Sequence, residues 1–207
     1  MERIFSCDKR TKKIVMVEGG KRPFIKDRKE AIQEGGEGHF MAHLAGNKNI
    51  SIDSPEPNEK LERKKLLKEF SKEDVQLYYF SRIVYQWNCL TKKIDFEQYT
   101  NDFLNDDKKK SGWKSFDFSL LHMIEIFESR LNRKFKKSDK SFFYSINNPH
   151  YTNAITNQIS KRSGGIRDNT IVKNIVKLWK SGKSIFIVYG SGHIPVFREK
   201  LENMLGR

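Results

Sequence analysis

Four apolar residues in a row, Ile14 to Val17 in KIVMVEGG, most constrain what this chain can fold into. A run without polar alternation suits a strand covered on both faces, as in a parallel sheet. The run ends in Glu18 and two glycines. Two other stretches repeat the plan. NISIDSPEP leads from Ile50 and Ile52 into Asp53, Glu56 and two prolines, and SIFIVYGSGH leads from Ser184–Tyr189 into Gly190, Gly192 and His193.

Helical patterns fill the intervals. HFMAHLAG (His39 to Gly46) reads as a short helix with Gly46 near its C-cap. It joins the first two strands, so a right-handed parallel crossover is expected. In PNEKLERKKLLKEF the residues Leu61, Leu66, Leu67 and Phe70 recur near helical spacing. SKED at Ser71 resembles a capping box and opens the next helix. The polar run NDDKKKSGWKS (Asn105 to Ser115) is the best linker candidate. After it, Leu120, Leu121, Ile124, Phe127 and Leu131 mark an amphipathic stripe. RDNTIVKNIVKLWKSG predicts a helix with Ile171, Val172, Ile175, Val176 and Trp179 on one side and Gly182 beyond its end. A last helix starts at Pro195, with Phe197, Leu201 and Leu205 on one face. The order predicts one α/β domain over residues 1–207, with a mostly parallel central sheet, flanking helices and a helical insertion at about 58–150.

Hydrophobic residues make up 37% of the chain, enough for a core. The net charge of +14 admits a nucleic acid or another anionic partner, and hence a non-catalytic basic binding module as the alternative function. Lysines spread along the whole chain give the same total as a solvated surface, so a nucleic-acid role is not favoured. Cys7 and Cys89 form no CxxC or metal spacing and fit a reducing compartment. Met1 is followed by charged residues without an apolar core, so no signal peptide is expected. No apolar run is long enough to span a bilayer. The expected location is the cytoplasm.

In open parallel sheets ligands bind at the carboxyl ends of the strands. Here those ends bear Glu18, then Asp53 and Glu56, then His193. Carboxylates and a histidine on one rim suit a metal ion or general acid–base work. Each also has a plain structural role open to it, because a polar side chain after a strand commonly caps the next helix.

IFIVYGSGHIPVFREKLENML resembles the closing segment of the TraB/GumN family, whose signature there is Gly-x-x-His before a helix. Gly190, Ser191, Gly192 and His193 match it. Arg167 and Asp168 resemble that family's Arg-Asp pair, and VMVEGG with Arg22 resembles its strand ending in Glu with a following Arg. GEGHFMAHLA and ISIDSPEP are similar to the next two segments in some members, which makes Glu37 and Glu56 site candidates. These proteins group with the erythromycin-esterase and ChaN-like proteins. The resemblance covers roughly the first sixty and the last forty-five residues. It implies a hydrolase with a divalent metal (Mn, Co or Zn), in a group that includes a metal-dependent protease branch. Glu18 and His193 would then form the centre, with Glu56 as a further metal ligand. Glu18 would alternatively take a proton from the attacking water, Arg167 would stabilise negative charge, and Glu37 would complete the polar rim. Asp168 also reads as an ordinary N-cap in RDNT. His39 beside Glu37, Asp53, and His150 in NNPHY are weaker candidates.

One departure stands out. The family has an earlier Gly-x-x-His on a strand before the one ending in Glu, whereas no histidine precedes His39 here. MERIFSCDKRTKKIV reads as the helix that would follow such a strand. The expectation is a longer natural chain or a degenerate member, with an unpaired sheet position open to self-association.

Other motifs are set aside. HFMAH has i, i+4 histidines but Phe40 where a zincin needs Glu. SGKS follows a helix and opens a strand, the reverse of a P-loop. GSGHIP lacks the third glycine of a dinucleotide fingerprint. His150 reads as a solvated turn residue, and His122 as a partly buried structural one. NRKFKKSDKSFFY interleaves cations and aromatics, as single-strand binders do; an amphipathic helix with a solvated face is the preferred reading.

Overall fold

The structure is a computed structural model, and it describes residues 12–206. The expected helix in the opening stretch, and Cys7, therefore lie largely or wholly outside the described residues. The chain divides into two compact units. One comprises residues up to Pro57 together with those from Arg167 onward, and the other is Asn58–Ile166.

The first unit is built on three parallel strands, β1 (Lys13–Val17), β2 (Ser51–Asp53) and β3 (Ser184–Val188), in the order β2-β1-β3. Both pairings of the central strand are parallel, with Val15 opposite Ile52 on one side and Phe186 on the other. The continuous apolar run has a direct cause, since helices cover both faces of the sheet. Val15 and Val17 are fully buried and pack with Phe186 and Val188 against Met41 and Ala45 of α1 (Arg28–Gly46). On the opposite face Ile185, Ile187 and Tyr189 pack against Ile171, Val172, Ile175 and Val176 of α7 (Ile155–Lys180) and against Phe197 of α8 (Ile194–Leu205). The fold is α/β with a parallel sheet and flanking helices, as the sequence predicts.

Two local expectations need correction here. Helix α1 starts at Arg28, capped by the Asp27 side chain, rather than at His39. It is broken at Gly35–Gly36, where Gly36 takes φ 56°, ψ −138°, a conformation only glycine adopts readily. Gly46 is the last helical residue, next to the Asn47 cap as expected, and a Cβ there would stand 2.2 Å from the Phe24 ring. Asp168 is not an N-cap. Helix α7 already begins at Ile155 and includes Gly164 and Gly165, so Asp168 sits in mid-helix.

The second unit is helical: α2 (Glu59–Leu66), α3 (Lys72–Cys89), α4 (Phe96–Ser111), α5 (Leu120–Leu131), α6 (Lys140–Asn147) and the first part of α7. Ser71 caps α3 by accepting from the Asp74 N–H, as the SKED motif predicts. Phe80, Phe127, Phe143, Leu66, Leu77 and Met123 form the centre of its core. The expected linker at Asn105–Ser115 is instead largely the end of α4, closed by Gly112 in the left-handed conformation. Its polarity misleads because Asp107 is buried in an ion pair with buried Arg63 and accepts from Gln76 Nε2 at 2.7 Å. Burial pushes the Asp107 carboxyl up, against the pull of Arg63 and Gln76. The stripe on α5 is also rotated from its predicted place: Met123, Ile126 and Phe127 are buried, while Leu121 is 76% exposed. Cys89 is an exposed free thiol. No helix among the described residues is long and apolar enough to cross a membrane.

Removing one partner of a buried ion pair strands the other charge. Asp107→Leu and Arg63→Met are each expected to cost about 3–5 kcal/mol in urea unfolding, and the double variant Arg63→Met/Asp107→Leu less than the sum. Additive costs in that cycle would contradict the buried pairing.

Candidate active site

The site grows from the pairing of β1 with β3. Val17 stands opposite Val188, and the ladder continues as the Glu18 N–H donates to the Val188 carbonyl at 3.2 Å. The next residues of the two strands therefore emerge side by side. Gly190 turns the chain, and its N–H donates to Glu18 Oε2 at 2.9 Å. A Cβ on Gly190 would stand 3.3 Å from that oxygen, so glycine allows the close approach. A single 3₁₀ turn, Ser191–His193, then delivers the imidazole.

His193 lies between two carboxylates. Its Nε2 is 3.4 Å from Glu18 Oε1, and its Nδ1 is 3.6 Å from Asp168 Oδ1. The ring is held by stacking on Phe197 and by an edge contact with Tyr189. A neutral imidazole has one N–H to offer two carboxylates. Both separations are longer than a hydrogen bond between such groups. Glu18 Oε1 and His193 Nε2 are the two donors here that would hold a divalent ion.

Glu56 has a different role. It accepts from the Gly19 N–H at 2.8 Å through Oε1 and pairs with Arg167 Nη2 at 2.9 Å through Oε2. Both oxygens are thus engaged. Arg167 and Asp168 are consecutive on α7, and Asn174 of the same helix donates to the Pro55 carbonyl at 2.8 Å, tying the loop after β2 to α7. Among the described residues no three His, Cys, Asp or Glu side chains come together as a metal-holding group.

Arg22 and Glu37 line a cavity of about 380 Å³ with Glu18, Tyr189 and Gly190. Gly19, Gly35 and Gly38 form part of its wall, which brings main chain to the surface of the cavity. Gly19 has φ +78°, and a Cβ there would meet the Arg22 guanidinium, which donates to the Glu18 carbonyl at 3.3 Å. The remaining candidates fall outside this group. Asp53 is exposed and accepts from the adjacent Ser54 N–H. His39 packs its Nδ1 against Gly35. Its neighbour His43 is structural, with Nδ1 donating to the Ile25 carbonyl and Nε2 accepting from Asn47. His150 belongs to the helical unit, where it is exposed and its N–H donates to the Asn148 side chain.

No family model, no curated protein and no solved structure matches this chain. The reading of the site therefore rests on its geometry.

Two residues escape the sequence reading, Tyr189 and Ser54. The Tyr189 hydroxyl and Ser54 Oγ are buried without a well-formed hydrogen bond, as are Arg22 Nε and His39 Nδ1. Buried polar atoms are normally satisfied, and the Tyr189 hydroxyl and Ser54 lie close enough to interact with each other. An aromatic residue closing a buried strand reads as core, and Tyr189 does pack on the apolar cluster through its ring. Only its hydroxyl points to a second role. Burial, then the neighbouring Glu56, pushes the Tyr189 phenol above its ordinary range. It stays protonated as a donor at any working pH. Because the folded value is raised, the unfolded chain releases this proton first, and stability falls as pH rises above about 10. Ultraviolet titration of wild type and Tyr189→Phe should show the same tyrosinate signal up to about pH 11, since an ordinary tyrosine ionises near 10. An extra tyrosinate in the wild type near pH 10 would contradict the burial.

Proposed function

We propose that this chain is a metal-dependent hydrolase similar to TraB/GumN proteins, with peptide bonds as the candidate substrate. The observation that carries the reading is the imidazole of His193 set between Glu18 and Asp168 at the carboxyl ends of β1 and β3. The residues of the GSGH resemblance have separate physical tasks there. Gly190 orients Glu18 through its N–H, and His193 presents Nε2 to the same carboxylate.

Glu18 and His193 would hold the ion, with Asp168 orienting the ring from behind, an arrangement that raises ligand basicity and holds the imidazole in place. Only two protein donors face each other, one fewer than the three common at catalytic zinc sites, so water and substrate would have to fill the other positions. When bound, a divalent ion supplies a polarised water and Lewis acidity at neutral pH. In the alternative role Glu18 would leave the ion to other ligands and accept a proton from the attacking water, with its Oε2 oriented by the Gly190 N–H. Glu56 restrains Arg167, so this guanidinium contributes a positioned positive charge beside the rim. Tyr189 lines the cavity beside Glu18, and its hydroxyl, next to Ser54, stays a protonated donor there.

Calorimetric titration of the purified protein with Mn²⁺, Co²⁺ and Zn²⁺ is expected to give one site. Asp168→Asn should weaken it about 10- to 100-fold, as removal of an outer-shell partner does, and His193→Ala more. A panel of quenched fluorescent peptides then tests hydrolysis by the metal-loaded wild type and Glu18→Gln. Metal binding that is equal in wild type and His193→Ala, or hydrolysis untouched by Glu18→Gln, would overturn the assignment.

A further inference from the structure

We propose that the helical unit carries a separate binding site for single-stranded nucleic acid, in the cleft between α3 and the start of α6. The segment concerned is the basic, aromatic stretch that the sequence assigns to a solvated helix. The structure differs. Helix α5 ends at Leu131, where Asn132 adopts the left-handed conformation, and α6 begins at Lys140. The cations between them therefore lie on a loop and do not spread around a helical surface. From Arg130 to Lys140 there are six cations and one acid, Asp139.

The loop borders a cleft of about 620 Å³, within the range of about 300–1,000 Å³ common for ligand sites. Tyr144 of α6 and Tyr85 of α3 line it as a pair, with ring centroids 5.9 Å apart and planes at 47°. Tyr144 is 51% exposed, so much of its surface is open to solvent. The cleft also presents Lys136 and Lys140, and the hydroxyls of Ser138 and Ser141. This set answers the needs of a nucleotide strand: an aromatic surface for a base, ammonium groups for phosphate, and hydroxyls for sugar or phosphate oxygens.

The local acid does not cancel the cations. Asp139 pairs with Arg133 at 2.6 Å, and its other oxygen accepts from the Phe142 N–H and the Ser141 hydroxyl. These bonds hold its carboxyl below the usual range, and its charge is matched by Arg133. Lys134 is likewise paired, with Glu128 at 2.7 Å. Lys136 and Lys140 form no ion pair among the described residues, and they are the two lysines that line the cleft. Tyrosines and serines, in place of protruding aliphatic side chains, favour a nucleotide strand over a lipid surface.

The test is fluorescence anisotropy of the full chain with labelled oligothymidylate, a duplex of equal length and phosphatidylserine vesicles. Wild type is expected to bind the single strand at low salt and the duplex more weakly. Tyr144→Ala should weaken it at least about fivefold, the smaller end of what one stacked base contributes. Lys136→Ala/Lys140→Ala should flatten the log–log salt slope by about 1.4, near 0.7 for each phosphate contact on a single strand. All three side chains are exposed, and circular dichroism would verify that the variants fold. Absence of binding at low salt would overturn the proposal. So would binding that both variants leave unchanged, equal affinity for the duplex, or vesicle binding in place of oligonucleotide binding. None of these outcomes depends on the hydrolase reading, because Glu18 and His193 lie in the other unit.

Discussion

The parallel register of β1 with β3 is the constraint on which the candidate site depends. With Val17 opposite Val188, Glu18 leaves one strand as Tyr189 and Gly190 leave the other. The Gly190 N–H then meets a Glu18 oxygen, and a 3₁₀ turn is enough to bring His193 to the same carboxylate. A slip of one residue would turn Val15 and Val17 away from α1 and exchange the faces of the whole strand. Burial on both sides of the sheet therefore does more than stabilise the unit. It determines which side chains reach the rim, and at what spacing.

Helix α7 contributes the second constraint. Arg167 and Asp168 are neighbours in sequence, and they serve different partners: Arg167 neutralises Glu56, and Asp168 stands behind His193. Glu56 is thereby drawn away from the metal role that the resemblance implies for it and into holding Gly19 and Arg167. The rim contains two kinds of carboxylate. Glu56 has both oxygens engaged, whereas Glu18 shares its oxygens between a backbone N–H and an imidazole.

The strands were legible because a doubly covered strand must be apolar along its length, and Ile14–Val17 and Ile185–Tyr189 have no other ready interpretation. Glu18, Glu56 and His193 followed from the strand ends. What stayed hidden depended on pairing across long separations. Asp107 looks like linker polarity until Arg63, forty-four residues earlier, is beside it. Gly164 and Gly165 look like a break, yet α7 runs through them, so Asp168 resembled a cap. The first half of α1 was masked by the Gly35–Gly36 kink, which no helical period can bridge. Tyr189 was missed because a ring on a core strand conceals the use of its hydroxyl.

The most direct measurement of the central claim is the anomalous difference map of a crystal soaked in Mn²⁺. A peak between Glu18 Oε1 and His193 Nε2, with Asp168 still behind the ring, is the expected result. A map with no peak there, and His193 turned away from both carboxylates, would contradict it.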